Sequence, residues 1–238
     1  MPFQIPCPQA AKIATQADIV FCVDATGSMQ PCIDGVRSGI LSLVNGLASA
    51  ASVDFRLRLI AYRDIQPHGC TTPWEIHPFT NSPDQFKAQL ASVRAQGGGD
   101  PPESTLDALY LALHSDWRAS NTHKTIVLLT DDDTHPTLHR STYRGHDNNV
   151  RRVIADFQAL GHVMLFLVAP RFPVYQQLEQ SFQDNQRKVI ANWVAYTAQH
   201  AGLASVDWRP LMRMIGEVVS ATSVVMTQQS RTNRPFNQ

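Results

Sequence analysis

Surplus charge of either sign is missing from this chain: 20 Lys+Arg stand against 20 Asp+Glu in 238 residues. A nucleic-acid binder neutralises phosphates with a concentrated Lys/Arg excess, and an anionic membrane surface selects the same excess, so the balance argues against both. Long apolar runs are also missing, and none approaches the roughly 18 residues that span a bilayer. Cysteine is scarce. Cys7, Cys22, Cys32 and Cys70 form no CxxC pair, which speaks against a disulfide framework and against a zinc knuckle. The start, MPFQIPCPQAAKIATQ, has no basic stretch followed by an apolar one, so no secretory leader is expected. Neither a GxSxG nucleophile elbow nor a P-loop is found, which leaves enzymatic readings little to stand on. A soluble, reduced, cytoplasmic protein is expected, long enough to bury a real core.

Short β-branched runs alternate with longer segments of helical period, the pattern of βαβ units around a mostly parallel sheet. Ala17 to Val23 is nearly continuous in apolar residues and reads as a strand buried on both faces. A helix follows from about Met29 to Ser49, with Ile33, Val36, Ile40, Leu43, Val44 and Leu47 on one stripe. Phe55 to Ala61 is the second strand, and Trp74 to Phe79, flanked by Pro73 and Pro78, a short edge strand. Ser82 caps the next helix, which should run to Gly97-Gly98-Gly99. Pro102 to Ser115 is read as helix, Lys124 to Thr130 as strand, Val150 to Leu160 as helix and His162 to Ala169 as strand. Val174 to Gly202 reads as one or two helices and Leu211 to Met226 as the closing helix. The plan is therefore an arm over 1–16, one α/β domain over 17–226 and a flexible polar tail over 227–238.

In open parallel sheets, ligands bind beyond the carboxyl ends of the strands, where strand order reverses. After the first strand comes Asp24-Ala25-Thr26-Gly27-Ser28. In an extended loop, positions i, i+2 and i+4 point one way, so Asp24, Thr26 and Ser28 would offer three oxygens to one point. One of the three would suffice to cap the following helix. After the TIVLLT strand comes Asp131-Asp132-Asp133, and a third loop reads Gly97-Gly98-Gly99-Asp100-Pro101-Pro102-Glu103-Ser104. Hard oxygen donors from separate loops suit Mg²⁺ or Mn²⁺ better than zinc.

DATGSM after a buried strand, GGGDPPES before a helix and LLTDDD after a later strand together resemble the von Willebrand factor A domain. The resemblance covers roughly Ala17 to Met226. AYRD (Ala61-Tyr62-Arg63-Asp64), the GGGDPPE loop and Trp117-Arg118 look most like the alpha-kinase-associated and bacterial intracellular subgroup. It implies a three-layer Rossmann-like fold: a mostly parallel sheet with one short antiparallel edge strand, helices on both faces, and the first and fourth strands side by side at the centre. It also implies a metal-ion-dependent adhesion site built from an Asp-x-Ser/Thr-x-Ser loop, a loop Thr and an Asp after the fourth strand. Carried over, Asp24, Thr26, Ser28 and Asp131 match. Asp100 stands where the family has its loop Thr, and Asp131-Asp132 replaces the usual Asp-Gly. The extra carboxylates favour a cation and weaken capture of a partner's carboxylate.

Asp132, Asp133, Glu103 and His135 are placed on the rim. Asp64 either steadies the site or pairs with Arg63 or another arginine. His135 and His139 have the i, i+4 spacing of a zinc pair, but Pro136 disfavours helix there and no Glu lies between them, so the segment reads as a polar loop. Tyr62 and Trp74 are read as core, and Cys22 as inert. The expected function is a Mg²⁺-dependent protein-interaction module, an adaptor in a multi-protein assembly of bacterial signalling or defence type. The alternative is a metal-assisted hydrolase in which Asp100, Asp131 and Asp132 hold ions and His135 or His139 moves protons.

Overall fold

The structure is a computed structural model and describes residues 15–48, 53–65, 72–97, 101–118, 122–182, 187–196 and 203–232. Six strands form one sheet in the order β3-β2-β1-β4-β5-β6. They are β1 (Thr15–Asp24), β2 (Val53–Tyr62), β3 (Trp74–Ile76), β4 (His123–Leu129), β5 (Val163–Pro170) and β6 (Arg187–Val194). All pairings are parallel except that of β2 with the short edge strand β3. Chain order reverses between β1 and β4, so the crevice between their carboxyl ends is the switch point.

Alternation along β1 sends Ala17, Ile19, Phe21 and Val23 to one face and Val20 and Cys22 to the other. The first face is covered by α1 (Gln30–Leu47), α2 (Pro83–Ser92) and α6 (Trp208–Thr232), the second by α3 (Thr105–Leu113), α4 (Val150–Leu160) and α5 (Pro173–Ser181). Three layers result, as expected. Glycine lets α1 and α6 touch backbone to backbone. A Cβ on Gly46 would fall on the Arg213 carbonyl, and one on Gly216 on the Leu43 carbonyl.

Several expected boundaries shift. Val174 to Gly202 is not all helix: among the described residues only Pro173–Ser181 is, and Arg187–Val194 adds β6 in parallel to β5. As a half-exposed edge strand, β6 mixes polar and apolar residues, and pairing with β5 overrides its weak local signal. α2 stops at Ser92 rather than at the glycines, because Val93 turns extended (φ −68°, ψ 132°) and its side chain is buried. α3 is shorter than 102–115. α6 continues through Thr232, into the stretch expected to be tail, and β1 takes Thr15 and Gln16 from the expected arm. Ser82 caps α2 through Gln85 N, and α4 ends at Gly161 (φ 80°), both as read. Cys22 and Cys32 are buried free thiols, whereas Cys7 and Cys70 lie outside the described residues.

Asp18, fully buried near the start of β1, is held from both sides. Arg56 on the neighbouring strand donates through Nε (3.0 Å) and Nη2 (2.6 Å), and Arg118 through its backbone N (2.8 Å) and Nε (2.7 Å). Arg118 also reaches the Asp54 carboxylate at 2.6 Å, clamping the β1–β2 end of the sheet to the segment after α3. A buried carboxylate that loses a partner keeps its desolvation cost. Arg118→Ala is therefore expected to lower unfolding free energy by about 3 kcal/mol, read from the urea midpoint at unchanged m-value. A loss below about 0.5 kcal/mol, within the usual range for surface substitutions, would show that Arg56 alone satisfies Asp18.

Candidate functional site

Asp24 ends β1 on the same row as Asp18, Val20 and Cys22, and it is fully buried. Its Oδ1 accepts from Thr26 N (2.9 Å) and Thr26 Oγ1 (2.7 Å), and its Oδ2 from Thr130 Oγ1 (3.0 Å). These donors are all neutral. Among the described residues no Lys or Arg pairs with Asp24, and the charge acting on it is that of Asp131, across the β1–β4 crevice. Burial, reinforced by Asp131, pushes the Asp24 carboxyl up to about 7 despite those three hydrogen bonds.

The loop after β1 is not the extended ladder expected. Thr26 is extended (φ −69°, ψ 166°), but Gly27–Met29 coil into a 3-10 turn that leads into α1. Alternation therefore does not align Ser28 with Asp24. Ser28 sits half-buried in that turn. Nor does the capping role apply: Thr26 makes no side-chain cap, because its hydroxyl is donated to Asp24. That hydroxyl keeps its lone pairs for another group. Gly27 N donates to Gly97 O (3.0 Å) and Gln96 N to Ala25 O (2.9 Å), which fixes the turn against the segment after α2. Asp100 lies outside the described residues.

A second layer of oxygens converges from β2, α3 and β4. Of the two readings of Asp64, pairing with arginine is not seen among the described residues: its Oδ1 takes the Ser104 hydroxyl (2.8 Å) and lies 2.9 Å from His135 Nε2. Arg63 turns away to Glu75 (2.7 Å) and the Arg94 carbonyl (2.8 Å). Glu103 N donates to Asp133 O and His135 N to Glu103 O, each at 2.9 Å, so the loop before α3 is bonded to the loop after β4. Asp132 and Asp133 accept from the next residue's backbone N at 2.7 and 2.8 Å, tightening their own turn. His139 is directed elsewhere, to Ser141 Oγ at 2.7 Å, so His135 and His139 form no pair. Tyr62 is core, bonded to Thr105 at 3.0 Å. Trp74 is half-buried against the α3 face.

Sequence reasoning passed over Thr130, Ser104, Thr134 and Tyr175. Thr134 Oγ1 caps α3 at Leu106 N (3.0 Å), and the Tyr175 hydroxyl holds the Asp132 carbonyl at 2.9 Å. Thr130 had a readable signal, as the polar last residue of an apolar strand directly before Asp131. Tyr175, which arrives from α5, had none.

Glu103 is 5% exposed, and its buried Oε2 accepts no hydrogen bond. Burial, with Asp24, Asp64, Asp132 and Asp131 nearby, pushes its carboxyl up to about 9. Among the described residues no three His, Cys, Asp or Glu are arranged as a ready metal cage. The carboxylates and hydroxyls gathered around Asp24 are hard oxygen donors of the kind that suit Mg²⁺ or Mn²⁺, and the acids destabilise one another. Both raised carboxyls keep protons in the folded chain that the unfolded chain releases above 3.8 and 4.5. Their stabilisation is complete below those values and is lost as pH rises through about 7 and about 9. In EDTA the melting temperature is expected to fall from roughly pH 5 to pH 9, and Glu103→Gln to flatten the upper part of that fall. A melting temperature that climbs over this interval in both proteins would contradict the arrangement.

Comparison with known proteins agrees with this architecture. A Dictyostelium discoideum protein, alpha-protein kinase vwkA, is 30% identical over 147 residues, 59% of this chain. The chain spans only 23% of that relative. Among solved structures, a von Willebrand factor type A protein from Catenulispora acidiphila superposes with a TM-score of 0.53 at 13% identity, over 87% of this chain and 43% of its own. The SpRpn10 VWA domain superposes with a TM-score of 0.51 at 8% identity, over 81% of this chain and 96% of its own. Identities this low speak to fold alone. The sequence pattern of the von Willebrand factor A domain itself matches residues 18–143, more than half of the chain, and the protein belongs to that family of interaction modules.

Proposed function

We propose that this chain is a Mg²⁺-dependent protein-interaction module, with Asp24, Thr26, Ser28 and Asp131 as metal ligands and Asp100 as a further one. Mn²⁺ would serve the same donors. The observation that carries the reading is the contrast within β1. Asp18 is buried and neutralised by two arginines, whereas Asp24 is equally buried, receives only neutral donors, and faces another carboxylate. A cation supplies the charge that Asp24 lacks. When bound, it also offers an acidic partner side chain a strong local charge.

Thr130 and Thr26 orient Asp24, and Ser104 and His135 hold Asp64 behind the rim. Asp132 and Asp133 each accept a backbone N–H within their own turn and shape the rim. The chain acts as an adaptor within a larger cytoplasmic assembly and turns nothing over. Among the described residues no helix is long and apolar enough to cross a membrane. Of the two imidazoles a hydrolase could use as a base, His139 is turned to Ser141.

Titration calorimetry of EDTA-stripped protein with Mg²⁺ and Mn²⁺ tests the reading. One-to-one binding is expected, abolished in Asp24→Ala and weakened about tenfold in Thr130→Val, which deletes one hydrogen bond to the ligand. Absence of binding by the wild-type protein at millimolar metal overturns the assignment. A stoichiometry of two would favour the hydrolase.

A further inference from the structure

The proposed metal site leaves most of the β4–α4 connection without a role. An antiparallel bridge between Thr137 and Asn149 closes its neck, reinforced by Leu138 N donating to Asn148 O at 2.7 Å. Beyond the neck, Arg140, Ser141, Tyr143, Arg144, His146 and Asn148 line a cleft of about 780 Å³. Arg140, Arg144 and His146 are exposed, and among the described residues none of them takes part in an ion pair. The acids close by are already engaged. Asp147 accepts from the Tyr143 hydroxyl and lies 3.5 Å from Arg152, which also binds Asp156. The cleft therefore presents two guanidiniums with no carboxylate reserved for them.

Its wall is held in place before any ligand arrives. Tyr143 is anchored by Asp147, its ring lies 5.4 Å from that of Tyr110, and the Arg152 guanidinium sits 5.6 Å above it. Gly145 lies so close to that ring that a Cβ would fall on the Tyr143 hydroxyl. Ser141 is held 2.7 Å from His139 Nδ1. A preformed, polar, cationic cleft loses little entropy on binding an anion.

We infer that this cleft binds a phosphomonoester. Two guanidiniums bring two charges and planar forks of donors. A carboxylate offers one charge and two acceptor oxygens, whereas a phosphomonoester offers a charge of about −1.5 to −2 and three oxygens. The volume exceeds what a bare phosphate fills and leaves room for the molecule that carries it. This site shares no residue with the proposed metal ligands and does not depend on them.

The test is calorimetric titration of the full chain in EDTA buffer with inorganic phosphate, adenosine monophosphate and a short phosphoserine peptide. Saturable one-site binding is expected, at least tenfold weaker in the Arg140→Ala/Arg144→Ala double variant. The Arg140→Lys/Arg144→Lys pair, which keeps the charge and loses the forks, is expected to fall between. Arg151→Ala, exposed on α4 and outside the cleft, should bind as wild type. Adenosine monophosphate binding more tightly than phosphate assigns a small-molecule ligand; a tighter phosphopeptide assigns a phosphorylated partner. No saturable binding of any probe overturns the inference, as does an equal loss in Arg151→Ala, which would mean diffuse charge attraction.

Discussion

Strand β1 buries two aspartates on one row, and the fold depends on how differently the two are satisfied. Asp18 and Asp24 lie six residues apart, roughly 20 Å along the strand. Parallel registry places Arg56 beside Asp18, and Arg118 arrives from the chain after α3, so that end of the sheet is closed by an ion network. No comparable cation reaches Asp24 among the described residues. Its neighbours across the reversal of strand order are Thr130 and Asp131. A carboxylate satisfied only by hydroxyls and amides at a switch point is costly to keep charged, so this end of the sheet is where folding free energy is given up.

Short polar bonds join the loops around that cost. The four residues of AYRD show how tightly: Ala61 packs in the core, Tyr62 bonds Thr105, Arg63 reaches Glu75 and Arg94, and Asp64 holds Ser104 and His135. One strand end thus ties β3, the segment after α2, the start of α3 and the loop after β4. Stability for this polar end comes from the opposite layer, where α1 and α6 pack at Gly46 and Gly216 and bury Ile33, Ile40, Leu43, Met212, Ile215 and Val219. Full burial of such side chains contributes about 1.5–3 kcal/mol each.

Periodicity made the central strands, α1, the Ser82 cap and the Gly161 stop legible, because each is written in contiguous residues. The resemblance placed β1 beside β4, and the sheet order agrees. What stayed hidden depends on partners distant in sequence. β6 owes its state to β5, and Asp64 takes its hydroxyl partner from Ser104, 40 positions away. At Ser28 the difference is local: extended alternation gives way to the 3-10 turn of Gly27–Met29. Thr130 could be read as a polar residue closing an apolar strand before Asp131, but its bond to Asp24 spans 106 positions and follows only from the pairing of β1 with β4.

The same distinction separates the two polar surfaces. At the switch point the acids come from β1, β2, the α3 loop and β4, so their convergence is a property of topology, and moving any one strand end would dissolve it. The arginines of the β4–α4 connection come from one closed loop whose neck is a single bridge and whose wall leans on Tyr110 of α3. Such a loop can change its side chains without disturbing the sheet, as loops carried on rigid scaffolds generally do. The two surfaces also differ in chemistry: arginine forks on the loop suit an anion, and carboxyls and hydroxyls at the switch point suit a cation. A ligand at one surface therefore has no electrostatic reason to compete for the other, and a single partner bearing both an acidic and a phosphorylated group would need the metal to be present before it could engage both.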